Sequence, residues 1–150
     1  MRNVYRVLAY LIALDVALQA SFIAFAVFGL SKFVEDGNTI TPDMVGENAA
    51  NPAEFTGVEG FGLHAMNGFM VIPLLALVLL IVAAFAKVKG GVWTAGVVLV
   101  LVLLQVILGG LSHGTPGLGL LHGLNALAIF GTALFGGHLA RSGATAPAAA

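Results

Sequence analysis

The 150-residue sequence contains no cysteine, and charged residues make up only 9% of it. The lack of cysteine excludes disulfides, iron–sulfur clusters and thiol catalysis. The scarcity of charge excludes a water-facing globular surface, because soluble domains carry about a quarter charged residues. Hydrophobic residues make up 59% of the chain, so the expected solvent is the lipid bilayer. With a net charge of -1 and no basic stripe, nothing indicates nucleic-acid binding.

Four apolar runs are long enough to cross a bilayer core, which needs about 20 residues of helix. We expect the spans at about residues 7–30, 61–86, 92–111 and 118–140. The polar segment 31–60 is expected to form a loop, and the small-residue tail 142–150 to be disordered. The sequence thus predicts a single all-α domain, an integral membrane four-helix bundle with up-down-up-down topology.

The distribution of charge predicts how the bundle lies in the membrane. The basic residues that fall on one side of the spans are Arg2, Arg6, Lys87, Lys89 and Arg141. Only Lys32 falls on the other side, where segment 31–60 holds six of the seven acidic residues. Because cytoplasmic loops are rich in Lys and Arg, both termini are expected in the cytoplasm and segment 31–60 on the outer face. We expect a multi-pass protein of the cell (inner) membrane.

The first apolar run also has features of a secretory signal peptide, with basic residues before it and Ala24-Phe25-Ala26 near its end. Asp15 and Gln19 interrupt its apolar core, and the run continues past Ala26, which favours a retained span. Burying a carboxylate in lipid is costly unless it is paired or protonated. Asp15 therefore raises the hypothesis of proton handling or quinone binding.

The second and fourth spans begin alike. Both carry the pattern L-H-x-x-N, as Leu63-His64-Ala65-Met66-Asn67 and as Leu121-His122-Gly123-Leu124-Asn125. The first and third spans share a shorter echo that ends in Gln19 and Gln105, although those glutamines are expected at different depths. Two hairpins in the same orientation suggest a parallel repeat about an axis along the membrane normal. Chance similarity among leucine- and glycine-rich helices is the alternative.

The matched histidines predict a haem site. With a rise of about 1.5 Å per residue, His64 and His122 enter their spans to a similar depth. The second and fourth helices of such a bundle are diagonal neighbours, which suits a flat cofactor that is ligated on both faces. Neutral imidazole is a standard axial ligand of haem iron. Hydrogen bonding between helices, or reaching the nearby interface, is the alternative for each histidine.

Small and amide residues near the same depth complete the predicted site. The glycines are Gly29, Gly68, Gly109 and Gly110. They would leave space for a porphyrin edge, although small residues also mediate ordinary helix packing in membranes. Asn67 and Asn125 lie three residues after the histidines, on the same helix face. Each would form hydrogen bonds between helices or contact the cofactor.

Three further residues have local interpretations. His113 lies in the turn after the third span and is expected to face water near the outer interface, with contact to a haem propionate or a role in electron exchange as the alternatives. His138 is expected to reach the cytoplasmic interface. Pro73 removes a backbone donor and predicts a kink in the second span.

The stretch Gln105–Ala128 resembles the Q-x-x-L-G … L-H pattern of haem A synthases, through Gln105-Val-Ile-Leu-Gly109 and then Leu121-His122. Those enzymes resemble two fused four-helix halves, with haem-ligating histidines in the second and fourth helices of each half. The chain is also similar to small four-helix membrane proteins, common in actinobacteria, that share this histidine pair. The resemblance implies His64 and His122 as axial ligands of one haem b. A single half implies haem binding rather than haem modification.

The resulting interpretation is a b-type cytochrome with one haem near the outer face. It would carry electrons between a quinone pool and an outer-face redox partner, as an electron-transfer protein or subunit rather than a stand-alone enzyme. Two alternatives stay open. One is a haem-free accessory subunit of a larger membrane complex, and the other is a small proton-coupled transporter that uses Asp15 and the histidines.

Overall fold

The computed structural model describes residues 1–44 and 51–142, and all regular structure in these ranges is helical. The helical segments that are long and apolar enough to cross a membrane are Arg2–Glu35, Glu59–Ala86, Gly91–Ser112 and Leu118–Arg141. In the most apolar window of each segment, only 17–28% of the residues are buried inside the protein. Most apolar side chains therefore face outward, which suits lipid as the solvent. The all-helical class and the four apolar helices agree with the sequence prediction.

The order of the elements places a short break inside the second span. Helix α1 is Arg2–Glu35, and a 3-10 turn follows at Pro42–Met44. The second span consists of α2 at Glu59–Met66, a π-helical turn at Asn67–Val71 and α3 at Ile72–Ala86. Helix α4 is Gly91–Ser112, and α5 is Leu118–Ser142. Ser142 thus ends a helix, and the remainder of the predicted tail lies outside the described residues.

Helix α1 runs past both ends of its apolar core, which was predicted at residues 7–30. Its C-terminal turn carries Lys32, which forms an i,i+4 ion pair with Asp36. Such pairs stabilise a solvated helical end, so the helix does not stop where its apolar run stops. Helix α2 likewise begins before the predicted span. Both ends of the predicted loop 31–60 are therefore helical.

Contacts divide the described residues into two compact units. One unit is Leu18–Asn67, and the other is Met1–Ala17 with the residues from Gly68 onward. In the latter unit, α4 packs against both α3 and α5. Tyr5 is fully buried there, and its hydroxyl donates to the carbonyl oxygen of Gly91 at 3.2 Å. This bond satisfies the phenol inside an apolar core.

In the unit Leu18–Asn67, the segment that precedes α2 packs closely on α1. A Cβ atom added at Gly29 would lie 1.8 Å from the backbone oxygen of Thr56. Only a residue without a side chain allows this approach. The space at Gly29 is therefore filled by the protein's own backbone, and the prediction that it leaves room for a porphyrin edge is wrong.

Candidate functional site

His122 on α5 is held by the backbone of α4. Its imidazole Nδ1 lies 3.1 Å from the carbonyl oxygen of Gln105. A carbonyl oxygen can only accept, so Nδ1 carries the proton and donates. In a neutral imidazole this places the lone pair on Nε2, which is a metal-binding atom. A carbonyl partner of this kind fixes both the tautomer and the ring orientation of a metal-binding histidine.

The unit Leu18–Asn67 contains the same arrangement around His64. This histidine lies on α2, and its Nδ1 is 3.1 Å from the carbonyl oxygen of Gln19 on α1. In both units, the acceptor is the glutamine of the preceding span, and the histidine is half-buried. The short glutamine echo therefore corresponds to a contact that occurs once in each unit.

Gly109 gives the imidazole of His122 its space on α4. A Cβ atom at this position would lie 3.1 Å from Cε1 and 3.3 Å from Nδ1 of the ring. The histidine itself thus fills the space that the sequence assigned to a porphyrin edge. A Cβ atom at Gly110 would meet nothing within 4 Å, so the two adjacent glycines differ in what they accommodate.

Asn125 forms the interhelical hydrogen bonds that were one of its two predicted roles. Its Nδ2 donates to the carbonyl oxygen of Leu101 at 2.9 Å and to Oε1 of Gln105 at 2.7 Å. Gln105 therefore accepts from His122 through its backbone and from Asn125 through its side chain. With only 9% of Asn125 exposed, this cluster joins α4 and α5 away from the surface.

The bond between Asn125 and Oε1 of Gln105 has no counterpart at Oε1 of Gln19 within the described residues. Asn67 is as buried as Asn125, with 9% exposed. Oε1 of Gln19 is buried and has no hydrogen-bond partner among residues 1–44 and 51–142. The backbone contact of the two glutamines is shared, but their amide contacts differ.

The π-helical turn begins at Asn67, one turn after His64, and includes Gly68, which is partly exposed. Pro73 follows within the first turn of α3. Its nitrogen has no hydrogen to donate to an earlier carbonyl, and the wider π turn accommodates the interrupted bonding pattern. Turns of this type often occur at functional sites in α-helices. A π-helical turn thus interrupts the second span beside Pro73, and the kink stays a prediction.

The other two histidines lie at helix ends. His113 is the C-cap of α4, and both it and His138 on α5 are exposed. Within the described part of the chain, no group of three or more His, Cys, Asp or Glu side chains is placed to hold a metal ion. The chain thus offers no cage for a bare ion there. A haem iron differs because the porphyrin supplies its equatorial ligands, and the protein supplies only axial ones.

Each half-buried histidine thus has one ring nitrogen fixed by a backbone carbonyl and the other suited to bind a metal. Comparison of the chain with protein-family models, curated proteins and solved structures found no match.

Proposed function

We propose that this protein is a b-type membrane cytochrome in which His64 and His122 are the axial ligands of one haem b. The supporting observation is that each histidine, within its own unit, donates from Nδ1 to a glutamine carbonyl at 3.1 Å. A histidine that needed only a hydrogen-bond partner could use either ring nitrogen. Both use Nδ1 with a backbone carbonyl, which is the kind of support that orients a metal-binding histidine.

The residues present fit a haem better than other redox groups. The chain has no cysteine for an iron–sulfur cluster or a thiolate-ligated metal. Two neutral imidazoles are suitable axial ligands, and burial in an apolar medium tunes the iron's potential. When bound through both histidines, the haem accepts and releases single electrons and has no open position for a substrate.

The chain's own residues hold the ligand atoms in place. The carbonyl of Gln105 sets the tautomer of His122, and Gly109 gives its ring space against α4. Asn125 secures Gln105 through the side-chain oxygen. Metal sites commonly depend on such supporting contacts, whose loss weakens binding even when the ligand remains.

We also propose the orientation that the charges favour. In an up-down-up-down bundle with both termini in the cytoplasm, the basic turn 87–89 lies inside, and both histidines lie near the outer face of the cell membrane. The haem would then exchange electrons with a quinone pool and with a redox partner on the outer face. The resemblance of Gln105–Ala128 to haem A synthases supports haem binding, and the single half favours electron transfer over haem modification.

An absorption spectrum tests this proposal. The protein, purified in detergent from haem-sufficient cells, should show sharp low-spin b-type bands after addition of dithionite. His64→Ala and His122→Ala should each abolish the six-coordinate spectrum. His113→Ala and His138→Ala are matched controls on exposed histidines and should leave it unchanged. A colourless unmodified protein would contradict the proposal and favour a haem-free accessory subunit.

A further inference from the structure

The turn between α3 and α4 brings positive charge to the edge of a cavity. Lys87, Lys89 and Arg2 line this cavity, which has a volume of about 550 Å³. Among the described residues, no carboxylate lines it, and the rest of the wall is mostly apolar, including Phe135 and Leu139. Lys87 and Lys89 are exposed and form no ion pair with any described residue. Their charges are thus available to an external anion.

The backbone of the turn adds to this positive potential. Lys87 adopts a left-handed conformation with φ 53°, and Gly90, with φ 75°, caps the N-terminus of α4. Gly90 has no side chain that could accept from the first N–H groups of the helix. The Gly91 N–H donates to the carbonyl oxygen of Val88 at 2.9 Å, and the helix dipole places partial positive charge at this end of α4. The N-terminus of α4 therefore favours a negatively charged ligand, as the lysines do.

An apolar groove adjoins the basic cavity. It has a volume of about 660 Å³ and lies along one face of α4, which presents Trp93, Gly96, Val97 and Val100, with Leu80 of α3 opposite. Trp93 lines both the groove and the basic cavity, and 79% of its side chain is exposed. A Cβ atom at Gly96 would meet nothing within 4 Å, so the groove is open at that point.

We propose that these two cavities bind an anionic phospholipid, with its phosphate at Lys87 and Lys89 and an acyl chain in the groove beside Trp93. A soluble anion would lack an acyl chain to fill the groove, and an uncharged lipid would form no ion pair with the lysines. Basic pockets between transmembrane helices bind anionic headgroups in this way, and tryptophan commonly lies at headgroup level. The lipid site is independent of the proposed haem.

Trp93 provides the measurement, because it is the single tryptophan of the chain. The full-length protein is placed in phosphatidylcholine vesicles that contain increasing fractions of brominated phosphatidylglycerol or brominated phosphatidylcholine. Haem content is kept equal across samples, since haem also quenches tryptophan. Each cation near a membrane surface strengthens binding of an anionic lipid by about five-fold. We therefore expect the brominated phosphatidylglycerol to quench Trp93 at a mole fraction at least about five-fold lower than the brominated phosphatidylcholine.

Two sets of variants separate the contribution of the headgroup to binding from that of the acyl chain. Lys87→Asn with Lys89→Gln should remove the preference, and asparagine suits the left-handed backbone at position 87. Lys32→Gln is the matched control, because Lys32 lines neither cavity, and it should keep the preference. Gly96→Leu should fill the groove and reduce quenching by both lipids.

Three results would overturn the proposal. The first is equal quenching of the unmodified protein by the two brominated lipids. The second is a preference that survives the double lysine variant, and the third is unchanged quenching in Gly96→Leu. Raising the salt concentration should weaken the preference without removing quenching, because salt screens the lysine charges and leaves the apolar contacts in place.

Discussion

The imidazole of His122 donates from Nδ1 to the carbonyl oxygen of Gln105 at a distance of 3.1 Å. Because the acceptor is a backbone atom, the bond persists whatever side chain stands at position 105. The bond also decides which ring nitrogen can bind iron. The same bond between His64 and Gln19 makes this contact the repeated element of the proposed haem site.

Replacing Gly109 with alanine should disturb His122, whereas the same change at Gly110 should not. A Cβ atom at position 109 would lie 3.1 Å from the imidazole, while one at position 110 would meet nothing within 4 Å. Both changes replace glycine with alanine, which is more favourable within a helix by about 1 kcal/mol. We expect Gly110→Ala to raise Tm with an unchanged haem spectrum. Gly109→Ala should shift the bands or reduce haem retention, and identical spectra would contradict this account of the ring's position.

Asn125→Leu should reduce the free energy of unfolding by about 0.5–2 kcal/mol, because it removes two interhelical hydrogen bonds. Gln105→Leu should lose only the side-chain bond and keep the carbonyl that His122 uses. A double-mutant cycle measured by unfolding in detergent isolates the Asn125–Gln105 interaction. Ser112→Ala is the control, since its hydroxyl bonds within its own helix to Leu108. Strictly additive effects of the two leucine variants would show that the pair contributes nothing.

The four apolar helices and the unusual position of two histidines within them could be read from the sequence. The hydrogen bonds that these histidines form could not. Each apolar run exceeds what a bilayer needs, and histidine in such a run is conspicuous. The acceptors at Gln19 and Gln105 are backbone carbonyls, which every residue carries, so the glutamine echo marked the two positions but not the bonds that they form. The contact between position 109 and the imidazole depends on where the ring of His122 points, which the sequence does not specify.

The ends of the helices illustrate a second limit of the sequence. Hydropathy indicates which residues suit lipid, but it does not indicate where the backbone hydrogen bonds of a helix stop. The end of α1 at Glu35, beyond its apolar run, was therefore not predicted. Pro73 predicts a kink in the second span. It did not indicate that a π-helical turn would precede it at Asn67–Val71, since that choice depends on how the whole span packs.

Gly29→Ala should destabilise the packing of the outer segment on α1. The new Cβ atom would lie 1.8 Å from the backbone oxygen of Thr56, so the segment must move away. Limited proteolysis of the segment around Thr56 should become faster. Gly62→Ala is the matched control, because a Cβ atom there would meet nothing within 4 Å. Equal proteolysis of the two variants would contradict the close approach at Gly29.

Acidification should loosen the turn around Asp43. Hydrogen bonds from the Thr41 side chain and from Asn51 hold the pKa of its carboxyl below the usual value. A lowered pKa contributes stability above the unfolded-state value, and this stability is lost as the pH falls through the folded-state value. Hydrogen exchange of the Asn51 amide, which donates to the Asp43 carbonyl at 3.2 Å, should become less protected in acid. Asp43→Asn should abolish that pH dependence, and an unchanged profile would show that the carboxylate is not its source.

One chain is expected to bind one haem through both histidines. The most direct test of this expectation combines the haem-to-protein ratio of the purified protein with an electron paramagnetic resonance spectrum of the oxidised form. We predict one haem per chain and a low-spin ferric signal that His64→Ala and His122→Ala each convert to high spin or eliminate with the haem. A preparation without haem, or a low-spin signal that survives the loss of either histidine, would contradict it.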